Sequence, residues 1–76
     1  MMYDYSFLDG EITRIFKTRG NFAKEMGLSE RSISLKMNNK VPWTQPEISK
    51  ACTLLGITEK KINQYFFKVK VQKYWT

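Results

Sequence analysis

Apolar residues recur every three or four positions along most of this chain, the spacing that places side chains on one face of a helix. In the first such stretch, from about 6 to 17, the apolar face is formed by Leu8, Ile12 and Phe16. Four further stretches follow the same rule: 19–26, 30–38, 45–55 and a short one after Thr58. The pattern predicts an all-α domain of five helices.

Residues that favour helix ends mark the predicted boundaries. Side chains able to cap an N-terminus stand at or before each start: Ser6, Thr18, Ser29, Thr44 and Thr58. Glu47, three residues after Thr44, completes the spacing of a capping box. Gly27 and Gly56 follow the second and fourth helices, where the left-handed conformation that ends a helix costs glycine little.

The pattern changes at residues 67–71, where apolar and basic side chains alternate as they do in a β-strand. A single strand leaves its backbone groups unpaired and needs a partner. One interpretation is pairing with the same strand of a second subunit through Phe67, Val69 and Val71, which would build a two-fold dimer. The other is a basic tail that folds back on the helices or has no fixed structure. The chain is thus divided into a helical domain, 1–66, and a tail, 67–76.

The segment 21–38 has the features of a helix-turn-helix. Small Ala23 stands where two helices would cross, a Gly-Leu-Ser turn follows, and Ser29 can cap the second helix. Ile33 and Met37, four positions apart, would anchor that helix on the core. The outward face then carries Glu30, Arg31, Ser34 and Leu35. Because this face lies in the major groove in DNA-bound motifs of the kind, the segment predicts binding to double-stranded DNA.

Charge and composition narrow the function further. The 76 residues include 13 Lys and Arg against 7 Asp and Glu, a net charge of +6, and residues 60–76 hold five lysines and no acid. This asymmetry favours a polyanionic partner, although basic surfaces also serve solubility. The chain has no histidine and one cysteine, Cys52, which removes the commonest general base and a zinc site. We expect no enzymatic activity, no cofactor and no small-molecule ligand. No apolar run reaches membrane-spanning length and no signal peptide is visible, so a cytoplasmic protein is expected.

A family resemblance rests on these residues. Segment 18–43 resembles the helix-turn-helix of the phage repressor and Cro family. The Tyr-Asp-Tyr start at 3–5, the Asn-Asn-Lys loop at 38–40 and the Tyr-Phe-Phe end at 65–67 resemble small Cro-like regulators of temperate phages of Gram-positive bacteria. The loop departs from many relatives, which have Asn-Gly where this chain has a second asparagine, Asn39; asparagine also tolerates the left-handed conformation. The resemblance implies a lambda-repressor-like homodimer that represses transcription in the bacterial cytoplasm by occupying a pseudo-palindromic operator.

Each predicted base-reading residue has a structural alternative. Arg31 could hold guanine O6 and N7, or stay solvated or paired with Glu30. Glu30 could accept from cytosine N4, or simply favour the helix N-terminus. Leu35 could contact a thymine methyl group or make a peripheral core contact. Ser34 is compatible with either a base-reading or a structural role.

A second set of residues is predicted to contact phosphates: Arg19, Ser29, Lys36, Asn38 and Lys40. Arg19 matches the family's phosphate-binding position at the start of the second helix. The stem of Lys36 can pack while its ammonium reaches the DNA backbone, and Ser29 has capping as its alternative role.

Two other functions would use the same elements. An antitoxin-type autoregulator would bind DNA through the motif and a protein through the aromatic tail. A protein-interaction module would need no DNA at all. The chain shows no second domain to sense a signal, so we expect control through protein concentration, as in a Cro-like switch.

Overall fold

The computed structural model describes residues 2–70, in which five α-helices form the fold. The helices are α1 Ser6–Phe16, α2 Arg19–Met26, α3 Glu30–Met37, α4 Gln45–Leu55 and α5 Ile62–Phe66, with a 3₁₀ turn at Glu59–Lys61. The predicted five-helix, all-α class is confirmed. No helix in this part of the chain is long and apolar enough to cross a membrane.

Three of the predicted N-caps are formed. The side chains of Thr18 and Ser29 each accept the backbone N–H three residues ahead, at 3.1 and 3.0 Å. Thr44 and Glu47 exchange both bonds of the capping box, at 2.9 and 3.4 Å. These bonds satisfy N–H groups that the first turns of α2, α3 and α4 would otherwise leave unpaired, and each such cap stabilises a helix by about 1 kcal/mol.

The other two predicted caps are wrong. Ser6 is already inside α1, whose N-cap residue is Tyr5, and the Ser6 N–H donates to Oδ1 of Asp4 at 2.9 Å. Thr58 makes no side-chain bond, because the chain enters α5 through the 3₁₀ turn rather than directly.

Helix C-termini show one further departure. Gly27 and Gly56 end α2 and α4 in the left-handed conformation, with φ of 73° and 69°, as predicted. The end of α1 has no glycine, and Lys17 adopts φ 75° there. With ψ of −45°, Lys17 lies outside the left-handed helical region of the two glycines, in a sparsely populated conformation that costs about 1–3 kcal/mol, so α1 ends under strain.

The core lies where α1, α2, α3 and α4 meet, and α5 closes it. Its largest fully buried side chains are Phe22, Phe66, Leu8, Ile12 and Ile33. Trp43, in the segment between α3 and α4, packs edge-on against Phe66 with ring centroids 5.3 Å apart. Each of the five fully buried side chains stabilises the fold by about 1.5–3 kcal/mol, which is a large contribution in so short a chain.

The start of the tail folds back on the N-terminus of the same chain. Tyr3 and Val69 form an isolated antiparallel bridge, with Asp4 N–H donating to Lys68 O at 2.6 Å and Lys70 N–H donating to Met2 O at 3.0 Å. Residues 2–70 contain no longer strand. Neither interpretation of the tail describes this pairing, because residues 68–70 fold back on the N-terminal segment and not on the helices or a second subunit; Val71 lies outside the described residues. We call segments 2–4 and 68–70 the terminal ribbon.

Candidate functional site

The face that α2 and α3 present to solvent is the candidate site. A three-residue turn, 27–29, joins the two helices, and Leu28 N–H donates to Ala23 O at 2.9 Å to fix it. Ala23 is 2% exposed and Ile33 is fully buried, so the inner faces of both helices pack on the hydrophobic core. The exposed first turn of α3 therefore has a fixed orientation, as the spacing of small and apolar residues predicts.

The four predicted base-reading residues do not share one environment. Glu30 and Arg31 are exposed at the start of α3, whereas Ser34 and Leu35 are half-buried. Within residues 2–70, Arg31 makes no ion pair and no side-chain hydrogen bond, so its guanidinium is available to a partner. Glu30 and Arg31 are therefore the most accessible of the four predicted residues.

Glu30 reaches back to α2 instead of pointing straight outward. Its carboxylate packs on the backbone of Gly20, so closely that a Cβ on Gly20 would meet Oε1 at 3.0 Å. Gly20 lies in the first turn of α2, where free N–H groups and the helix dipole favour an anion. The glycine that weakens the predicted start of α2 thus makes room for this carboxylate.

Arg19, the predicted phosphate contact at the same end of α2, is already paired. Its Nε donates to Oδ1 of Asp9 in α1 at 3.1 Å, and the two side chains are 34% and 43% exposed. A pair this exposed contributes little stability, but it lowers the net positive charge where a phosphate was expected.

Lys36 is placed differently from the prediction that it reaches a DNA phosphate. It is 5% exposed, and its Nζ lies 2.9 Å from Oε1 of Glu47 and 3.1 Å from the carbonyl of Pro42. The ammonium also lies 5.9 Å from the ring centroid of Trp43. With these partners, Lys36 ties α3 to the start of α4 and is turned away from the α2–α3 face.

Glu47 serves both helices at once. Its Oε1 accepts from Thr44 N–H as well as from Lys36. Burial alone would raise the pKa of Glu47, but the hydrogen bond from the Thr44 backbone and the bond and charge of Lys36 outweigh it and lower the pKa.

The remaining predicted phosphate contacts are exposed. Ser29 Oγ caps α3 and donates to Ser32 Oγ at 2.9 Å, so its capping role is observed directly. Asn38 is the C-cap of α3, and Lys40 is fixed by its N–H, which donates to Leu35 O at 2.9 Å. Ser29 and Lys40 therefore lie at opposite ends of α3.

Asn39 makes a long-range structural contact that the sequence does not predict. It adopts φ 61°, as an asparagine in a left-handed turn can. Its Oδ1 accepts from Tyr3 N–H at 2.9 Å and its Nδ2 donates to Tyr3 O at 3.0 Å. The loop after α3 is thereby fastened to the terminal ribbon. The Asn-Asn dipeptide signals the turn, but not the partner, which lies 36 positions away.

The residues proposed for dimerisation are partly engaged within the chain. Phe67 packs edge-on against Tyr3 with centroids 5.9 Å apart, and Val69 is bridged to Tyr3. Both remain exposed, at 45% and 44%.

Two shallow apolar grooves flank Phe67. One of about 460 Å³ is lined mainly by Ile48, Cys52, Ile57, Ile62 and Phe67. The other, of about 340 Å³, includes Tyr5, Val41, Trp43, Phe66 and Phe67. Burial raises the pKa of the Cys52 thiol, consistent with a small buried apolar role. The described residues hold no cluster of three or more metal-ligating side chains.

The described residues form a small all-helical domain with an exposed α2–α3 face. Residues 1–69 match the family described as "Protein of unknown function (DUF739)", and the chain belongs to that family. It is also similar to a solved structure, described as the solution structure of the modulator of repression (MOR) of the temperate bacteriophage TP901-1 from Lactococcus lactis. The two are 51% identical with a TM-score of 0.78, over 95% of this chain and 97% of that chain. No curated protein matches the sequence.

Proposed function

We propose that this chain is a phage-type regulator that modulates repression by binding a repressor protein through its α2–α3 face. The similar solved protein is described as a modulator of repression, and the likeness extends over nearly the whole of both chains. A modulator of this kind changes what a repressor does at its operator, and it does not need an operator of its own.

The observation that carries this proposal is the position of Glu30. Its carboxylate packs on the first turn of α2, the place where a DNA phosphate would have to sit. Nearby, Arg19 is paired with Asp9 and Lys36 is buried against Glu47. What is left is a surface of mixed charge, with Glu30 beside Arg31, which suits a protein partner better than a uniformly anionic duplex.

Direct binding to an operator, with the chain acting as a Cro-like repressor, is the second candidate. Arg31 favours it, because an exposed, unpaired arginine at the start of α3 has the geometry to hold a guanine. Lys40, at the far end of α3, is placed for a phosphate on the opposite flank. In this candidate Glu30 would have to leave the end of α2 or exclude wrong bases. A homodimer on a pseudo-palindrome belongs to this candidate alone.

Glu30→Gln separates the two candidates because they predict opposite signs. The variant removes the negative charge without changing the shape of the side chain. If a repressor is the partner, its affinity for the chain should fall by about tenfold, as expected for losing one charged contact at an interface. If a duplex is the partner, removing a like charge should raise affinity for duplexes in general, and only a site at which Glu30 accepts from cytosine N4 should bind more weakly.

The experiment uses the repressor encoded in the same phage or prophage and a random duplex pool, each at about 150 mM salt, where purely electrostatic DNA binding is weak. Calorimetric titration measures the affinity of the chain for the repressor. Selection followed by sequencing measures which duplexes the chain binds. Glu59→Gln, an exposed acid on the 3₁₀ turn and outside the α2–α3 face, is the matched control and should change neither. An enriched palindrome obtained with the chain alone, together with no heat from the repressor, would overturn the proposal in favour of the Cro-like candidate.

A further inference from the structure

The terminal ribbon has an open backbone edge. Lys68 O and Lys70 N–H bond to the N-terminal segment, so they face it. Backbone groups alternate in direction along an extended chain, so the N–H and C=O of Val69 face the opposite way. Nothing within residues 2–70 bonds to either group.

The other edge of the ribbon is closed. Tyr3 lies across from Val69, and its outward N–H and C=O are both taken by the side-chain amide of Asn39. This amide acts as a one-residue strand that ends the ribbon. Within residues 2–70, one edge of the ribbon is therefore blocked by a specific residue and the other edge is exposed, which is the arrangement that strand addition requires.

The open edge carries a definite charge pattern. Val69 is 44% exposed and stands between two exposed lysines, Lys68 and Lys70. On the paired side of the ribbon, the residue across from Val69 is aromatic and the residue across from Lys68 is Asp4, whose Oδ2 lies 3.8 Å from the ammonium. The N-terminal segment thus shows which side chains pair well with this edge.

A second copy of the chain is a poor occupant of this edge. A two-fold antiparallel pair centred on Val69 would set Lys68 of one copy directly across from Lys70 of the other. Like charges directly opposite in a sheet are destabilising, and a net charge of +6 on each copy adds long-range repulsion. This argument also counts against the predicted dimer through Phe67, Val69 and Val71.

We propose that the open edge of the terminal ribbon binds an extended segment of a partner protein in which one apolar residue stands between two acidic ones. The apolar residue would lie beside Val69, and its backbone would exchange two hydrogen bonds with Val69. The acidic residues would lie across from Lys68 and Lys70. This surface is separate from the α2–α3 face, so the proposal does not depend on the function proposed above.

The test is a titration of the full-length, ¹⁵N-labelled chain with a blocked peptide that carries Glu-Val-Glu between short Ser-Thr flanks. We expect a saturable shift of the Val69 amide and slower hydrogen exchange there. The same peptide with Lys-Val-Lys at its centre should bind at least tenfold more weakly. A peptide whose central valine is N-methylated should also lose binding, because it cannot donate to Val69 C=O.

Two variants locate the site. Val69→Pro removes the outward N–H but leaves the Lys68 and Lys70 bonds of the ribbon in place, so it should reduce peptide affinity at least tenfold while the remaining amide spectrum is kept. Lys70→Gln should reduce it several-fold, and Lys60→Gln, an exposed lysine outside the ribbon, should not. If the proline variant does not fold, the N-methylated peptide alone decides.

Four results would overturn the proposal. The first is a set of peptide-induced shifts that leaves the Val69 amide unchanged, and the second is equal binding of the glutamate and lysine peptides. The third is a stronger response of the Val69 amide to a duplex oligonucleotide than to the peptide. The fourth is a shift of the Val69 amide that depends on protein concentration when no peptide is present. The third result would assign the lysines to nucleic acid, and the fourth would assign the edge to a second copy.

Discussion

A single buried lysine links α3 to the start of α4. Lys36 lies on α3. Its ammonium contacts both the carboxylate of Glu47, in the first turn of α4, and the carbonyl oxygen of Pro42. Lys36→Ala should lower the free energy of unfolding by about 1–3 kcal/mol, because Glu47 is left half-buried without its cation. Urea unfolding at neutral pH measures the change. Lys40→Ala, an exposed lysine nearby, should change it by less than about 0.5 kcal/mol.

The same contact has a predictable pH dependence. The folded-state pKa of Glu47 is below its ordinary value, so its ionisation stabilises the fold above the ordinary pKa, and this stability is lost as the pH falls through the lowered one. The difference in the free energy of unfolding between Lys36→Ala and the parent chain should therefore become smaller as the pH falls. An unchanged difference down to about pH 3 would show that the loss comes from packing of the lysine stem instead.

At the scale of helices, the end of α1 is the least favourable junction. Lys17 adopts φ 75° and ψ −45°, a sparsely populated conformation that costs a residue with a side chain about 1–3 kcal/mol, whereas glycine adopts positive φ readily but loses more conformational freedom on folding. Lys17→Gly should raise the free energy of unfolding by about 0.5–1 kcal/mol, seen as a higher Tm. Lys24→Gly, within α2, is the control and should lower it by about 1 kcal/mol. A drop for both variants would mean that Lys17 contributes contacts that outweigh its strain.

Helices could be predicted here because their signals are local. Spacing of three and four sets α1 to α4, and Thr18, Ser29 and the Thr44 capping box fix their starts. The exposed start of α3 followed from the same spacing. The environments of the polar side chains at the site could not be predicted from this spacing, because each depends on a residue that only folding brings close. The contacts are those of Arg19 with Asp9, Lys36 with Glu47, Glu30 with Gly20 and Asn39 with Tyr3.

At the scale of the whole molecule, charge on the surface is not the same as charge available to a partner. The sequence has a net charge of +6, but in the described residues two of the predicted phosphate-binding cations are paired or buried. Arg31 and Lys40 remain on the α2–α3 side, and Lys68 and Lys70 lie on the terminal ribbon. Composition alone therefore overstates the case for DNA, because part of the positive charge, including that of Lys68 beside Asp4, is already paired within the described residues.

The terminal ribbon also joins the two ends of the described chain, and its contribution to the fold can be isolated. A chain ending after Phe67 lacks the two backbone bonds that Lys68 and Lys70 make, whereas a chain ending after Lys70 keeps them. Each such bond contributes about 0.5–1.5 kcal/mol, so the shorter chain should be less stable than the longer one by about 1–3 kcal/mol in urea unfolding.

The dependence of that difference on protein concentration distinguishes pairing within one chain from pairing between two. For an intramolecular ribbon, the unfolding midpoints of both truncated chains should be the same at all protein concentrations. If residues 68–70 instead stabilised the fold by pairing with a second copy, the longer chain would become more stable as its concentration rose, by mass action, and the shorter one would not. A concentration-dependent midpoint confined to the longer chain would thus restore the predicted dimer, and a constant midpoint in both would leave the open edge free for a different partner.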